Sequence, residues 1–369
     1  MKRGQFMKIC IINLAWKGGM LHYASQLSNA LSSNNEVFFI TSSFFNDYYL
    51  FDAKIHIRLV PLPPKKLISL DWIRFDILIK LIYDINPDII HVTNIHPLIL
   101  SIIFFIKKPI IVTIHDVKVH PGDLDFLHLF SISTYIFAKR SSFIFVHGKY
   151  LKALLSEIIQ EDKIIVIPHG NYSFFKKLTD NEYKDYELNN NAALFFGRIS
   201  EYKGLKYLID AEAIISRCIP NFKLVIAGQG SMPDLVDLIR GKNITLINRY
   251  IEDREVAGLF LNSKVIVMPY IEASQSGIIP IAYSFKRPVV VTDVGSISEI
   301  VKDGETGFVV PPRDHISLAN AIITILNDDK LGKEMGENGY KKINNELSWD
   351  NISKETIKIY ENAMIRNIN

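Results

Sequence analysis

Short apolar, β-branched runs recur along the whole 369-residue chain, separated by helical spacings and polar loops. In the first half they lie at Ile9 to Leu14, Val37 to Ile40, Ile55 to Val60, Ile89 to Val92, Ile110 to Ile114, Phe143 to Val146 and Ile164 to Ile167. The second half repeats the scheme at Ala193 to Phe196, Lys223 to Ala227, Ile244 to Ile247, Val265 to Met268, Val289 to Thr292 and Phe308 to Val310. Continuous apolar runs of this length read as strands buried on both faces, and Leu21 to Leu31 and Ile73 to Ile85 carry a helical period between them. Strands alternating with helices predict doubly wound α/β domains, and the length is that of two cores. The polar, Lys/Asp/Asn-rich stretch Asn171 to Asn191 interrupts the alternation and marks the boundary. The expected division is 1–175, 176–347 and a terminal helix over 348–369 with Trp349, Ile352, Ile357, Ile359, Tyr360 and Met364 along one pattern.

Composition narrows the class. Apolar content of 48% and charged content of 22% are those of a soluble globular protein. The two cysteines, Cys10 and Cys218, have no metal-type spacing and read as reduced core residues of a cytoplasmic protein. Lys2 and Arg3 ahead of Ile9 to Trp16 imitate a signal peptide, but no small-residue cleavage site follows, and Met7 is an alternative start. The longest apolar run, Pro97 to Ile106, is shorter than the ~20 residues of a bilayer span. Residues 1–177 hold 20 Lys/Arg against 13 Asp/Glu, net +7, and the remainder 22 against 26, net −4. Lys65-Lys66, Lys107-Lys108 and Lys139-Arg140 lie beside apolar stretches, which suits peripheral contact with an anionic membrane or a lipid-pyrophosphate acceptor as well as it suits solvated helix ends. No nucleic-acid-binding pattern is present, so nucleic acid is not an expected partner.

Several loops after the strands carry chemistry. Trp16-Lys17-Gly18-Gly19 joins a strand to a helix, and its two glycines permit close backbone approach at a helix N-terminus. Ile114-His115-Asp116 ends a buried strand, at the edge where open α/β sheets bind ligands. Phe196-Gly197-Arg198 to Lys203-Gly204 pairs a planar fork with a mobile point charge, which suits a diphosphate that gains charge as a leaving group. After Val265 to Met268, Glu272 precedes Ser274-Gln275-Ser276-Gly277-Ile278, expected to open a helix whose first N–H groups can meet an anion. There Gly277 is expected to allow close approach, and the two serines to donate or cap. Ala227-Gly228-Gln229-Gly230 and Asn248-Arg249-Tyr250-Ile251 end two further strands.

The segment PVVVTDVGSISEIVKDGETGFVVPPRD and the GR-x4-KG element resemble, nearly residue for residue, the retaining glycosyltransferases of family 4, with the GT-B fold. The resemblance implies two Rossmann-like domains facing across a cleft, the first on the acceptor side and the second holding the nucleotide sugar, with the last helix crossing back to the first. It also implies metal-independent transfer from a nucleoside-diphosphate sugar to a glycan or lipid-linked acceptor, in polysaccharide or lipopolysaccharide biosynthesis, with no cofactor. His115, Arg198, Lys203 and Glu272 take the catalytic places. Gly18, Gly19, Gly197, Gly228, Tyr250, Ile251 and the residues from Ser274 to Ile278 take the donor-binding ones. One departure stands out: the family's second glutamate, eight residues after the first, is absent, since Glu272 plus eight is Pro280 and the realigned place falls on Ile281 or Ala282. Asp123-Leu124-Asp125 spells the D-x-D of metal-dependent transferases, but so short an acidic pattern is common by chance and no metal site is assigned. The competing readings are a nucleotide-sugar-binding protein of this fold without catalysis, and a Rossmann oxidoreductase with Glu36 near the ribose position.

Overall fold

The computed structural model describes residues 6–61, 75–96, 99–116, 127–178 and 191–366. Asp123, Asp125 and Lys65-Lys66 lie outside the described residues. The chain divides into two compact units, the first of residues up to Gly170 plus the segment from Trp349, the second from Asn171 to Ser348.

Unit 1 runs β1 (Lys8–Ile12), α1 (Gly19–Leu31), β2 (Glu36–Ser42), β3 (His56–Val60), α2 (Phe75–Ile85), β4 (Ile89–Val92), α3 (Leu100–Phe105), β5 (Ile110–Thr113), α4 (Leu127–Arg140), β6 (Phe143–Val146), α5 (Lys149–Ser156) and β7 (Ile164–Val166). Its seven strands lie in the order β3-β2-β1-β4-β5-β6-β7, every neighbouring pair parallel. The order reverses between β1 and β4. β4, β5 and β6 are buried at every residue, whereas the edge strand β3 is largely exposed. A parallel strand has helices over both faces, so an all-apolar run fits the middle of the sheet and an alternating one the edge.

Unit 2 runs β8 (Ala192–Phe196), α6 (Leu205–Cys218), β9 (Lys223–Ala227), α7 (Leu235–Ile239), β10 (Ile244–Ile247), α8 (Asp253–Leu261), β11 (Val265–Met268), α9 (Ile278–Ser284), β12 (Val289–Thr292), α10 (Ile297–Ile300), β13 (Gly307–Val310), α11 (His315–Asn327) and α12 (Asp329–Glu346). Its six strands are again parallel, in the order β10-β9-β8-β11-β12-β13, and the order reverses between β8 and β11. Helices α11 and α12 begin on Asp314 and Asp328, whose carboxylates each accept two of the first backbone N–H groups.

The last helix, α13 (Trp349–Arg366), belongs to unit 1 and packs on α1 and β5. Its buried face is Ile352, Ser353, Thr356, Tyr360, Ala363 and Met364, a helical stripe that leaves Ile357 and Ile359 only half-buried. Tyr360 Oη lies 2.6 Å from His91 Nδ1, and His91 Nε2 lies 2.7 Å from Thr113 Oγ1, so a polar chain crosses the core from α13 to β5.

Two expectations are corrected. Residues 171–175 belong with the second unit, because Tyr172 and Phe175 enter its apolar core. Cys218 is exposed, since it ends α6 on the solvent side, while Cys10 is buried in β1.

The Tyr360 linkage is testable by urea unfolding. Tyr360→Ala is expected to cost about 3–5 kcal/mol by emptying a fully buried site. Tyr360→Phe should cost about 1–3 kcal/mol, because it keeps the ring and leaves a buried His91 nitrogen without its partner. Equal stabilities of wild type and Tyr360→Phe would show that the hydroxyl contributes nothing.

Candidate functional site

In open α/β sheets ligands bind beyond the carboxyl ends of the strands, where the strand order reverses. In unit 2 that point lies between β8 and β11. The loop after β8 carries Gly197, Arg198 and Lys203, and the loop after β11 carries Glu272 and Ser274 to Gly277. Gly204, at φ +66, joins them: a side chain there would overlap the Pro269 carbonyl. The Tyr202 carbonyl accepts the Ile271 N–H at 2.8 Å, and the Glu272 N–H approaches it at 3.4 Å. Lys203 is half-buried with its ammonium 3.7 Å from the centre of the Tyr270 ring, whose electron-rich face attracts a cation. Burial pushes the Tyr270 phenol up to about 12, against a hydrogen bond with Ser276 that lowers it, so it stays neutral beneath the lysine. Arg198 and Glu272 are exposed.

The Ser274-to-Gly277 loop is clamped from the next strand. Ser296 N–H donates to the Ser274 carbonyl at 3.1 Å, and a side chain at Gly295 would overlap the Ala273 carbonyl. The family-like segment Val291 to Ser296 therefore shapes the loop in front of α9. Ser276 Oγ accepts from the Ile278 N–H at 3.2 Å, but the N-cap position itself is Gly277, which has no side chain to cap the helix. Gly277 has an ordinary helical φ of −71, so its backbone demands no glycine; only close approach of a ligand would. α9 has seven residues, a short dipole. Pro280, Ile281 and Ala282 are all buried in α9, and none offers a carboxylate. Gln275 Oε1, Ser200 Oγ and Ser296 Oγ are buried without a hydrogen-bond partner among the described residues.

Gly228 and Gly230 are packing glycines, since side chains there would overlap the carbonyls of Gly197 and Ile199. The Asn248 amide bonds both the N–H and the carbonyl of Gly230, at 3.2 and 3.1 Å, which fixes this loop against the end of β10. Arg249 forms a forked pair with the buried Glu255, which also completes the capping box of α8. Tyr250 is half-buried and Ile251 buried in the apolar core. By contrast, among the described residues nothing lies within 4 Å of a side chain built at Gly18, Gly19 or Gly197.

In unit 1, Asn13 binds the loop after β1 to the loop after β4: its amide donates to Thr93 Oγ1 at 3.0 Å and to the Met20 carbonyl at 3.1 Å. Gly18 precedes α1 at φ +83, where only glycine is at ease. His115 lies deeper than expected. Its Nε2 meets the Thr93 carbonyl at 3.0 Å and its Nδ1 faces His147 Nε2 at 3.2 Å, so both ring nitrogens are engaged inside the unit. His147 and His169 complete a buried histidine group around Tyr23, whose ring centre lies 5.3, 4.8 and 5.2 Å from those of His115, His147 and His169. Sequence reading missed His147, Tyr23 and Tyr270. The signal available for His147 was its place one residue after a strand, the place His115 holds in the neighbouring loop. Glu36, the candidate ribose acid of a dinucleotide fold, opens β2 at the amino edge of the sheet, paired with Lys8 at 3.8 Å, away from the Gly18 loop.

Residues 17–170 match the family described as Glycosyltransferase Family 4, and residues 190–328 match Glycosyl transferases group 1. The chain is 30% identical to an uncharacterized glycosyltransferase of Methanocaldococcus jannaschii over 283 residues, 70% of each protein. It is 30% identical to the capsular polysaccharide biosynthesis glycosyltransferase CapM of Staphylococcus aureus over 57% of this chain and 58% of that one. Among solved structures, Anabaena HepE in complex with UDP and glucose superposes with a TM-score of 0.76 at 17% identity, covering 96% of this chain and 100% of that one. The two parallel-sheet units are thus the Rossmann-like domains of the GT-B architecture.

The two kinds of glycine separate in a stability measurement. Gly204→Ala is expected to cost at least about 2 kcal/mol, from the left-handed backbone and the overlap with Pro269. Gly19→Ala, in open space at a helix start, should leave the melting temperature unchanged or slightly raised. A Gly204→Ala protein as stable as wild type would contradict the packing assigned to this loop.

Proposed function

This chain belongs to the family 4 glycosyltransferases, and from that premise we propose that it transfers a hexose from a nucleoside-diphosphate sugar, with retention, to a hydroxyl of a glycan or lipid-linked acceptor in surface polysaccharide assembly. The observation that carries the reading is the pairing of the Arg198–Lys203 loop with the Glu272–Gly277 loop at the point where the strand order of unit 2 reverses. A uridine diphosphate sugar is the proposed donor, supported by the UDP held in the HepE structure. Capsular polysaccharide assembly by CapM supports the acceptor class.

In this mechanism Arg198 and Lys203 bind the diphosphate, with the Ser276–Gly277 backbone at its other side. As the bond from the anomeric carbon to the phosphate oxygen breaks, its electron pair passes to the diphosphate, and the two cations stabilise that charge without a metal ion. The acceptor oxygen attacks the same face, and its proton goes to the departing phosphate oxygen. Glu272 binds the sugar. His115 would have to give up an interior contact to touch the sugar, so recognition is placed on Glu272. Gln275, Ser200 and Ser296 carry buried polar atoms on the loops after β11, β8 and β12, and donor hydroxyls could pair with them in place of the absent second glutamate.

A surface of unit 1 suits a lipid-linked acceptor. Phe104, Phe105, Tyr83, Ile132 and Tyr135 are exposed on α2, α3 and α4, with Arg140 over the Phe104 ring and Lys139 over the Tyr135 ring. Aromatic side chains interleaved with cations match the interface of an anionic membrane. Among the described residues no helix is long and apolar enough to cross one.

Release of UDP from UDP-sugars with a mixed acceptor pool tests the transfer. Arg198→Ala and Lys203→Ala should each slow it about a hundredfold, near 3 kcal/mol of barrier. Glu272→Gln should slow transfer while leaving UDP affinity near wild type, and brief EDTA treatment should change nothing. Near-normal turnover in both cation variants would remove the phosphate assignment; binding of UDP-sugar with no turnover under any acceptor would favour the inactive binding protein.

Vesicle flotation tests the surface. Anionic vesicles should carry the protein up a density gradient, zwitterionic ones should not, and Lys139→Glu with Arg140→Glu should abolish flotation. Equal recovery of wild type and double variant would reject the membrane contact.

A further inference from the structure

Three neighbouring parallel strands of unit 1 each deliver a histidine just past their carboxyl end: His115 after β5, His147 after β6 and His169 after β7. All three are buried, and one ligating atom from each lies within 4.8 Å of the others. The hydrogen bonds assign the tautomers. His115 Nε2 faces the Thr93 carbonyl at 3.0 Å, and His147 Nδ1 faces the Ile167 carbonyl at 2.9 Å. A carbonyl only accepts, so each of these nitrogens carries the proton of its neutral ring. The remaining nitrogens, His115 Nδ1 and His147 Nε2, are then both bare lone pairs, and they point at each other across 3.2 Å.

Two facing lone pairs repel unless something positive lies against both. A metal ion between them would meet both lone pairs at once, and the His115–His147 spacing suits one. Zinc–imidazole bonds of 2.0–2.1 Å put two ligand nitrogens of a tetrahedron about 3.3–3.4 Å apart, which the His115–His147 pair matches, while the trio, spread over 4.8 Å, has to draw in for all three to reach one ion. The outer nitrogens of His115 and His147 are also arranged as ligating histidines require, each N–H held by a backbone carbonyl. His91 makes the contrast: its two nitrogens face hydroxyls, which can donate or accept, so it needs no ion.

We propose that His115, His147 and His169 form a three-histidine site for a borderline divalent ion of the zinc class, tying together the ends of β5, β6 and β7. Imidazole ligands favour zinc, copper, nickel or iron over magnesium and calcium. The site is built from unit 1 residues alone, and its ion takes no part in the transfer step proposed above.

The test uses the full chain, purified with a tag that contains no histidine, and reads no activity. Elemental analysis is expected to find about one equivalent of zinc-class metal per chain, and His147→Gln to lose it. After stripping with a strong chelator, Zn²⁺ should raise the melting temperature of wild type and not of His147→Gln. Co²⁺ should give wild type the visible absorption of a tetrahedral nitrogen site. If His147→Gln does not fold, His169→Gln replaces it, and the cobalt spectrum of wild type stands without either variant. Absence of bound metal together with no response of melting temperature or absorbance to Zn²⁺ or Co²⁺ overturns the site. So does metal retained in full by a folded His147→Gln or His169→Gln protein.

Discussion

Every strand in both sheets runs parallel to its neighbours, and that constraint fixes where chemistry can sit. A parallel pair requires a crossover from the end of one strand to the start of the next, so all segments leaving strands gather on one edge of the sheet. The Gly18 loop, the three histidines, the Arg198–Lys203 loop and the Glu272 loop are all such segments. Strand order then selects among them. Where it reverses, the two adjoining loops turn away from each other toward opposite faces, and the space between them is where open α/β sheets bind ligands.

Loops at such an edge would wander without fixed contacts, and in unit 2 the contacts are backbone to backbone. Gly204 on the Pro269 carbonyl, Gly228 on Gly197, Gly230 on Ile199 and Gly295 on Ala273 chain four loops in sequence across the sheet. Each contact exists because a β-carbon is absent. The glycines at Gly18, Gly19 and Gly197 differ in kind, since among the described residues their open side faces no atom within 4 Å. One set positions the loops and the other leaves room beside them, a distinction that pattern matching on glycine cannot make.

The strands were legible because burial on both faces demands unbroken apolar runs, and each of the runs read from the sequence corresponds to a strand. The ends were less so. Residues 171–175 read as part of the first domain, because the apolar Tyr172 and Phe175 say only that they are buried, not in which core. The last helix shows the same limit: Ile357 and Ile359 look like core by identity, yet the helical stripe runs through Ser353 and Thr356 instead. Cys218 was misplaced for a related reason, as apolar neighbours in sequence on a helix point to different faces.

The site was legible in proportion to how local its pattern is. Arg198 and Lys203 lie in one loop with a fixed spacing, and the resemblance to a known family marks them directly. The histidine group is not local: its members are 32 and 22 residues apart in sequence, since His115, His147 and His169 come from three strands. His115 alone reads toward a ligand in the cleft, and nothing beside it in the sequence points to the other two. Only the strand order brings them together, and only the carbonyls of Thr93 and Ile167 set their tautomers so that two lone pairs meet. Replacing either carbonyl contact by a group that donates would let the ring turn its proton inward and remove the conflict. The electrostatic demand at the centre of unit 1 therefore originates in backbone atoms, which no side-chain pattern records.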